Sequence, residues 1–327
     1  MRVVAIEEHF SAPSINEADV GSIGRLRGVL GDLADRLDDV GELRLRDMDA
    51  AGIDVQVLSQ VAPGLHHLDP AVAVPLAVDA NDMLADVVRR HPSRFSGFAT
   101  LPIGDPTAAA AELERSVRQH GFKGAMVNGH TRGKYLDDRS FWPVFESAEA
   151  LDVPIYLHPT MPPAQITEVY YAPYGPSFAG AGWGFAVETA THTLRLILSG
   201  LFDAFPRLKL ILGHMGELLP YCLTRINRWL TPDSAHLQRP VTDYIKQNIW
   251  ITTAGAFDAP AFICASHSIG IDRILFSVDY PFDDNQLGVE FLRRLPISDH
   301  DRTKVAHANA DALLRLVTSS QPVPDST

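Results

Sequence analysis

The chain predicts an α/β fold of the (β/α)8 TIM barrel kind, and three observations carry that expectation. Eight short apolar runs alternate with helical patterns along nearly all of its 327 residues, as strands of a parallel sheet buried on both faces do. Glu7, His9, His158, His214 and Asp279 all fall at the C-terminal ends of those runs, the end where barrels of this kind build their active sites. The length would also allow two average domains, but such barrels reach it as one unit. A doubly wound open sheet is the structural alternative, and the position of the polar residues argues against it.

The elements follow in order. Residues 3–8 read as the first strand, and a short helix over 41–51 leads into the second strand at 54–59. Asp69-Pro70 supplies an N-cap and a first helical residue for a helix running to about residue 91. The third strand is 95–101. Asp105-Pro106 repeats the capping device, and that helix ends near residue 120 with Gly121 as its C-cap. The fourth strand is 125–128, followed by a helix over 139–151, and the fifth is 154–158. The helix near 185–202 carries Ala186, Ala190, Leu194, Ile197 and Leu201 at helical spacing, read as a core-facing stripe. Strands six to eight fall at 208–213, 249–253 and 273–278. Residues 1–317 thus read as a single barrel. Segments 11–40 and 160–182 read as loops over its active face, and 318–327 as a tail whose last seven residues fray.

Composition limits the function classes. Lys+Arg 28 against Asp+Glu 40 gives a net charge of −12, which disfavours nucleic acid or an anionic membrane as partner. An anionic substrate would therefore need local positive charge, from a metal or a particular arginine. The two cysteines, Cys222 and Cys264, form no CxxC pair and fit a reducing cytoplasm. The chain opens on a charged strand rather than a signal peptide, and no apolar run reaches membrane-spanning length. The expectation is a soluble cytoplasmic protein.

Chemistry begins at Glu7-Glu8-His9. Side chains alternate on a strand, so Glu7 and His9 share one face and Glu8 takes the other. A carboxylate and an imidazole two residues apart can bite one cation. Alone, the triplet reads as a solvated strand end. With His158 and Asp279 closing two further strands, an accidental convergence becomes the harder explanation.

Six motifs recur in a fixed order: Glu7-Glu8-His9-Phe10, Val127-Asn128-Gly129, Tyr156-Leu157-His158-Pro159, Ser199-Gly200-Leu201-Phe202-Asp203, Leu212-Gly213-His214-Met215-Gly216-Glu217 and Arg273-Ile274-Leu275-Phe276-Ser277. As a set they resemble the amidohydrolase-superfamily decarboxylases, metal-dependent barrels acting on hydroxybenzoates. Within these the resemblance points to the enzymes for 2,6-dihydroxybenzoate (γ-resorcylate) and 2,3-dihydroxybenzoate, and it covers nearly the full length.

The resemblance implies that Glu7, His9, His158 and Asp279 hold one divalent metal ion. Two imidazoles and two carboxylates independently suit Mn or Zn, with the carboxylates favouring Mn. The same resemblance makes His214 and Glu217 a pair beside the metal that assists proton movement. It sets Arg225 on the substrate carboxylate, where a bidentate fork fits. Asn128 reads as a contact to a ring hydroxyl, and Phe282 and Trp183 as walls of an aromatic pocket. His66, His67 and His130 read as loop residues, and His192 lies off the stripe of its helix as no ligand.

The implied reaction is reversible, non-oxidative decarboxylation of an ortho-hydroxybenzoate, with Asp279 protonating the ring carbon. A hydrolase of a lactone or amide could use the same ligands with Asp279 as general base, and a hydratase is also open. A non-catalytic metal-binding barrel is the alternative from another class. His158-Pro159-Thr160 departs from the family's His-Pro-Arg, and Ser277-Val278-Asp279-Tyr280 from its Ser-Thr-Asp-Trp. His130 stands where an aromatic is common. These changes leave the ring-substituent preference open, orotate-like and vanillate-like acids included. Relatives of this kind imply a homo-oligomer, a tetramer or dimer.

Overall fold

Pairing runs in chain order, each strand parallel to the next, as a succession of right-handed strand–helix crossovers produces. The computed structural model describes residues 1–19, 28 and 31–316. Strand β1 is Val4–Phe10 and β2 is Val55–Gln60. β3 comes in two pieces, Phe95–Gly97 and Ala99–Thr100. β4 is Ala125–Asn128, β5 Ile155–His158 and β6 Leu210–Leu212. β7 is Ile249–Thr252 and β8 Ile274–Leu275. The break in β3 costs no ladder bond: Phe98 N donates to Leu58 O at 2.9 Å and Ala99 N to Gly124 O at 2.8 Å.

The ring closes just beyond β8. Asp279 N donates to Glu7 O at 3.1 Å, and His9 N donates to Tyr280 O at 2.7 Å. Closure removes both sheet edges and excludes the open doubly wound alternative. Val4, Ile6, Val55, Val57, Met126, Tyr156, Ile211 and Leu275 fill the inside, with Ala310, Leu313 and Leu314 of the last helix packed on them. Their neighbours along each strand, among them Ala5, Leu58, Val127, Leu157 and Leu210, face the surrounding helices.

One irregularity positions the site. Strict alternation in β1 would put Val4 and Ile6 inside and Glu7 outside. The pairing with β2 steps instead from Ala5↔Gln56 to Glu8↔Leu58, three residues against two. This is a β-bulge, which re-aims the side chains after it. Ile6 and Glu7 both point inward, Glu8 turns to the seam with β8, and His9 points in again.

Local signals in the helices hold where the chemistry is local. Asp69 Oδ1 accepts from Ala71 N at 3.0 Å, and Asp105 Oδ1 accepts from Thr107 N and Ala108 N at 3.1 and 3.0 Å. Gly121 takes the left-handed conformation at φ 73° that ends its helix. The helix expected near 185–202 is two, Gly184–Leu198 and Leu201–Ala204, separated by Gly200 at φ 81°. Of the expected stripe, Ile197 and Leu201 are fully buried and Ala190 and Leu194 pack half-buried against the core, but the most deeply buried face is rotated from it. Glu188, Thr189, His192, Thr193, Leu196 and Ile197 are buried, while Ala190 and Leu194 line an outer groove. The shift has a polar cause: His192 Nε2 accepts from Leu136 N at 3.0 Å, inside the protein.

The segment 160–182 is built of short turns of helix, Ala164–Ile166 and Pro176–Ala179 among them. Of segment 11–40, Pro13–Ala18 and Leu33–Asp38 are helical, and residues 20–27, 29 and 30 lie outside the described residues. The predicted tail at 318–327 lies outside them as well. No helix of the described residues is long and apolar enough to cross a membrane.

Candidate metal centre

Inside the barrel mouth the strand ends bring Glu7, His9, His158 and Asp279 together, with one ligand atom from each lying within 4.8 Å of the others. His9 Nε2 is 3.0 Å from Asp279 Oδ1, and His158 Nε2 is 3.6 Å from Glu7 Oε1. Glu7 Oε1, His9 Nε2 and Asp279 Oδ1 are all buried with no hydrogen-bond partner. Buried polar atoms are normally satisfied, so unpaired donor atoms aimed at one point are what a metal site presents. The donor set, two carboxylate oxygens and two imidazole nitrogens, suits a divalent ion and leaves room for substrate oxygens.

Each ligand is held from behind, as ligands of a working metal site are. Glu7 Oε2 accepts hydrogen bonds from the Tyr156 hydroxyl and from Thr252 Oγ1 (3.1 Å for the latter). His158 Nδ1 lies 2.9 Å from Pro159 O, which makes it the protonated nitrogen and leaves Nε2 free to ligate. The His9 carbonyl accepts from the fully buried Arg44 at 2.5 Å, and His9 Nδ1 lies 3.4 Å from Ser59 Oγ. Glu8, on the other face, accepts from Val278 N at 2.9 Å and Tyr280 N at 3.1 Å. It thereby grips the backbone on both sides of Asp279, which sits at φ 77°.

His214 and Glu217 form the expected pair, Nδ1 to Oε1 at 2.7 Å. The other imidazole nitrogen, Nε2, lies 3.5 Å from Asp279 Oδ2 and 3.9 Å from Glu7 Oε1. The turn that places them has positive φ at His214, Met215, Gly216, Glu217 and Leu218. Such backbone is costly for residues with side chains and persists where surrounding structure enforces it, typically at functional sites.

The charges are strongly perturbed. Burial pushes Glu7 up to about 7 against the pull of His214 and His9. Burial raises Glu8 to about 8, although the two backbone amides and Arg44 favour its charged form. Burial, reinforced by His9, holds His158 well below the usual histidine range, so it is the neutral imidazole a metal requires. For His214 burial works against the charged form, but Glu217 and Glu7 outweigh it and hold the ring protonated. For Asp279 burial is likewise outweighed, here by the hydrogen bond from His214 and the nearness of the His9 ring, which keep it below the usual carboxylate range.

Other residues singled out by sequence divide. Phe282 stands beside the cluster, its ring 5.7 Å from that of His9. Asn128 ends β4 in register with His158, buried, with its Oδ1 unpartnered. Arg225 is exposed on the helix Leu219–Asp233 and lines an apolar groove of 660 Å³ with Leu194, Cys222 and Trp229. Trp183 is half exposed at the start of Gly184–Leu198. No hydrogen bond or ion pair joins either to the metal-ligand cluster among the described residues. His66 is not a solvated loop residue: it is buried and accepts from Asn128 N at 3.1 Å. His67 pairs with Asp19 at 2.5 Å, and His130 Nε2 lies 3.1 Å from Met161 O.

Tyr156, Thr252, Arg44 and the seam role of Glu8 were not foreseen. Tyr156 lies two residues before His158 on the same strand face, so alternation alone could have found it. Arg44 and Thr252 carry no sequence signal that separates them from ordinary helix and strand residues.

The amidohydrolase family model matches residues 9–316. A gamma-resorcylate decarboxylase of Rhizobium radiobacter is 42% identical over 324 residues, covering 96% of this chain and 98% of its own. A dihydroxybenzoic acid decarboxylase of Polaromonas sp. JS666, solved with manganese and the inhibitor 2-nitroresorcinol, superposes with TM-score 0.89 at 40% identity, covering 96% of this chain and 97% of its own. A 5-carboxyvanillate decarboxylase of Sphingomonas paucimobilis gives TM-score 0.92 at 34% identity, covering 97% and 99%.

Proposed function

This chain belongs to the amidohydrolase family, and from that premise we propose that it is a metal-dependent, non-oxidative decarboxylase of an aromatic acid with a hydroxyl ortho to its carboxylate. The observation that carries the reading is the convergence of Glu7, His9, His158 and Asp279 beside the His214–Glu217 pair. Relatives named as γ-resorcylate decarboxylases at about 40% identity make 2,6-dihydroxybenzoate the first substrate to try. Glu7, His9, His158 and Asp279 hold one divalent ion, and manganese is the ion to load first, given the carboxylate-rich donor set and the manganese in the solved relative. When bound, that ion fixes the substrate and draws off negative charge from its oxygens.

The chain's own residues move the proton. His214, held protonated by Glu217, points Nε2 at Asp279 Oδ2 and resupplies that carboxylate. Asp279 delivers the proton to the ring carbon bearing the carboxylate. The carbon–carboxylate bond then breaks, its electron pair returns to the ring, and carbon dioxide leaves with a C–H bond in its place. Phe282 walls the ring beside His9, and the free Oδ1 of Asn128 accepts from a ring hydroxyl. The hydrolase reading uses the same ligands, and the identity to decarboxylases weighs against it.

The reading extends to residues 1–317 as one unit, to a cytoplasmic location and to a homo-oligomer, dimer or tetramer. Free Cys222 and Cys264 support the location, and the exposed Leu218, Tyr221 and Trp229 support self-association.

The deciding experiment measures carbon dioxide release from 2,6-dihydroxybenzoate and related hydroxybenzoates with manganese-loaded and metal-stripped protein. Asp279→Asn should lower turnover by about 10²–10⁴-fold, the range for a positioned general acid. No release from any of these acids by manganese-loaded protein would sink the decarboxylase reading.

A further inference from the structure

Tyr156, Thr252 and Glu7 point inward from β5, β7 and β1, alternate strands of the barrel, and the ring of Tyr156 lies 6.1 Å from that of Phe98 within β3. Alternate strands supply the side chains of one interior layer in such barrels, so these four residues make a layer just beneath the metal ligands His9 and His158. All four are fully buried. On Glu7, the two oxygens have different fates. Oε2 accepts from both the Tyr156 and Thr252 hydroxyls, while Oε1 has no hydrogen-bond partner and faces His158 Nε2.

We propose that Tyr156 and Thr252 are positioning residues that make Glu7 a one-armed metal ligand, tethering Oε2 so that only Oε1 is offered to the ion. The proposal rests on the reading of Glu7 as a ligand. The three groups close a triangle: Thr252 Oγ1 accepts from Ala254 N at 3.3 Å and lies 3.1 Å from both Glu7 Oε2 and Tyr156 Oη, so its hydrogen serves Glu7 directly or through the Tyr156 hydroxyl. Tyr156 has a single hydroxyl hydrogen and spends it on the same oxygen. The space is closed on the β6 side by Gly213, where an added Cβ would meet Glu7 Oε2 at 2.9 Å and Tyr156 Oη at 3.2 Å. A carboxylate pinned in this way cannot swing to bind with both oxygens, so the ordering of Glu7 precedes metal binding and strengthens it. The two hydroxyls touch neither ion nor substrate and act only through Glu7.

The test is isothermal titration of metal-stripped protein with Mn2+, a readout independent of turnover. Outer partners of metal ligands change affinity by about 10–100-fold. Tyr156→Phe and Thr252→Val should each weaken Mn2+ binding at least about tenfold on that scale. Thr252→Ser, which keeps the hydroxyl, should stay within about twofold of the parent. The proposal falls if Tyr156→Phe and Thr252→Val both bind like the parent. It also falls if Thr252→Ser is as weak as Thr252→Val, since the role is then packing. Should Tyr156→Phe not fold, the Thr252 pair decides. Glu7→Ala separates the two levels: undiminished Mn2+ binding there overturns the metal-centre reading itself, whereas loss there with both Tyr156→Phe and Thr252→Val unchanged overturns only the tether.

Discussion

Gly213 shows how tightly single residues are specified around this site. Its φ of −73° is one that any residue adopts, so backbone freedom is not what it supplies. What it supplies is space. An added Cβ would stand 2.9 and 3.0 Å from the two Glu7 oxygens, closer than side-chain atoms tolerate, and the partner is a buried carboxylate that has nowhere to retreat. Gly213→Ala should therefore leave the fold intact and weaken Mn2+ binding by about tenfold or more, on the scale of other ligand-orienting contacts. Titration calorimetry reads this directly, and an unchanged affinity would mean that Glu7 is not where the ion is held. Asp279 is constrained differently: its φ of 77° comes from the backbone, and its charge from His214 and His9.

At the scale of the element, the seam between β1 and β8 carries the most consequence. The bulge after Ala5 turns Glu7 inward, and Glu8 then closes the barrel by accepting from Val278 N and Tyr280 N. Removing that carboxylate strands two buried amides. At about 1–3 kcal/mol for each unsatisfied donor, Glu8→Ala should cost roughly 2–6 kcal/mol of stability. Urea unfolding of the metal-free protein measures it without interference from ligand loss. A loss under about 1 kcal/mol would show that the seam is held by the ladder bonds alone. The Asp-Pro helix starts were legible in sequence because capping is satisfied within a few residues of chain. The stripe on Gly184–Leu198 holds at Ile197 and only half at Ala190 and Leu194, because the deepest face is set by distant polar partners such as that of His192, which periodicity does not see.

For the whole molecule, burying titratable groups makes stability depend on pH in opposing directions. Burial holds His66 and His192 down to about 3, so between pH 6.5 and 3 the unfolded chain binds more protons than the folded one. Their stabilising contribution is complete above pH 6.5 and is lost as pH falls toward 3. Glu8, raised to about 8, works the other way, its contribution being full below about 4.5 and lost as pH rises through 8. The raw profile mixes the two, so the informative quantity is a difference. The stability of the parent minus that of His192→Gln should shrink by about 1.4 kcal/mol per pH unit below 6.5. Urea midpoints at pH 7, 6 and 5 supply it, and a constant difference would show that His192 titrates normally inside the fold.

Sequence by itself determined the barrel, because strand periodicity and caps are written in adjacent residues. Strand-end polarity, together with the family resemblance of its motifs, offered the four metal ligands and the His214–Glu217 pair as candidates. Tertiary structure decided what depends on atoms far apart in the chain. It showed that a bulge, rather than alternation, aims Glu7 inward. It joined Tyr156 and Thr252 to one carboxylate oxygen from 149 and 245 residues away. It buried His66 and Arg44, which composition would leave at the surface, and it left Arg225 exposed on an outer helix. Periodicity reports which face of an element is apolar, whereas the partners of a buried polar atom are set only when the barrel closes.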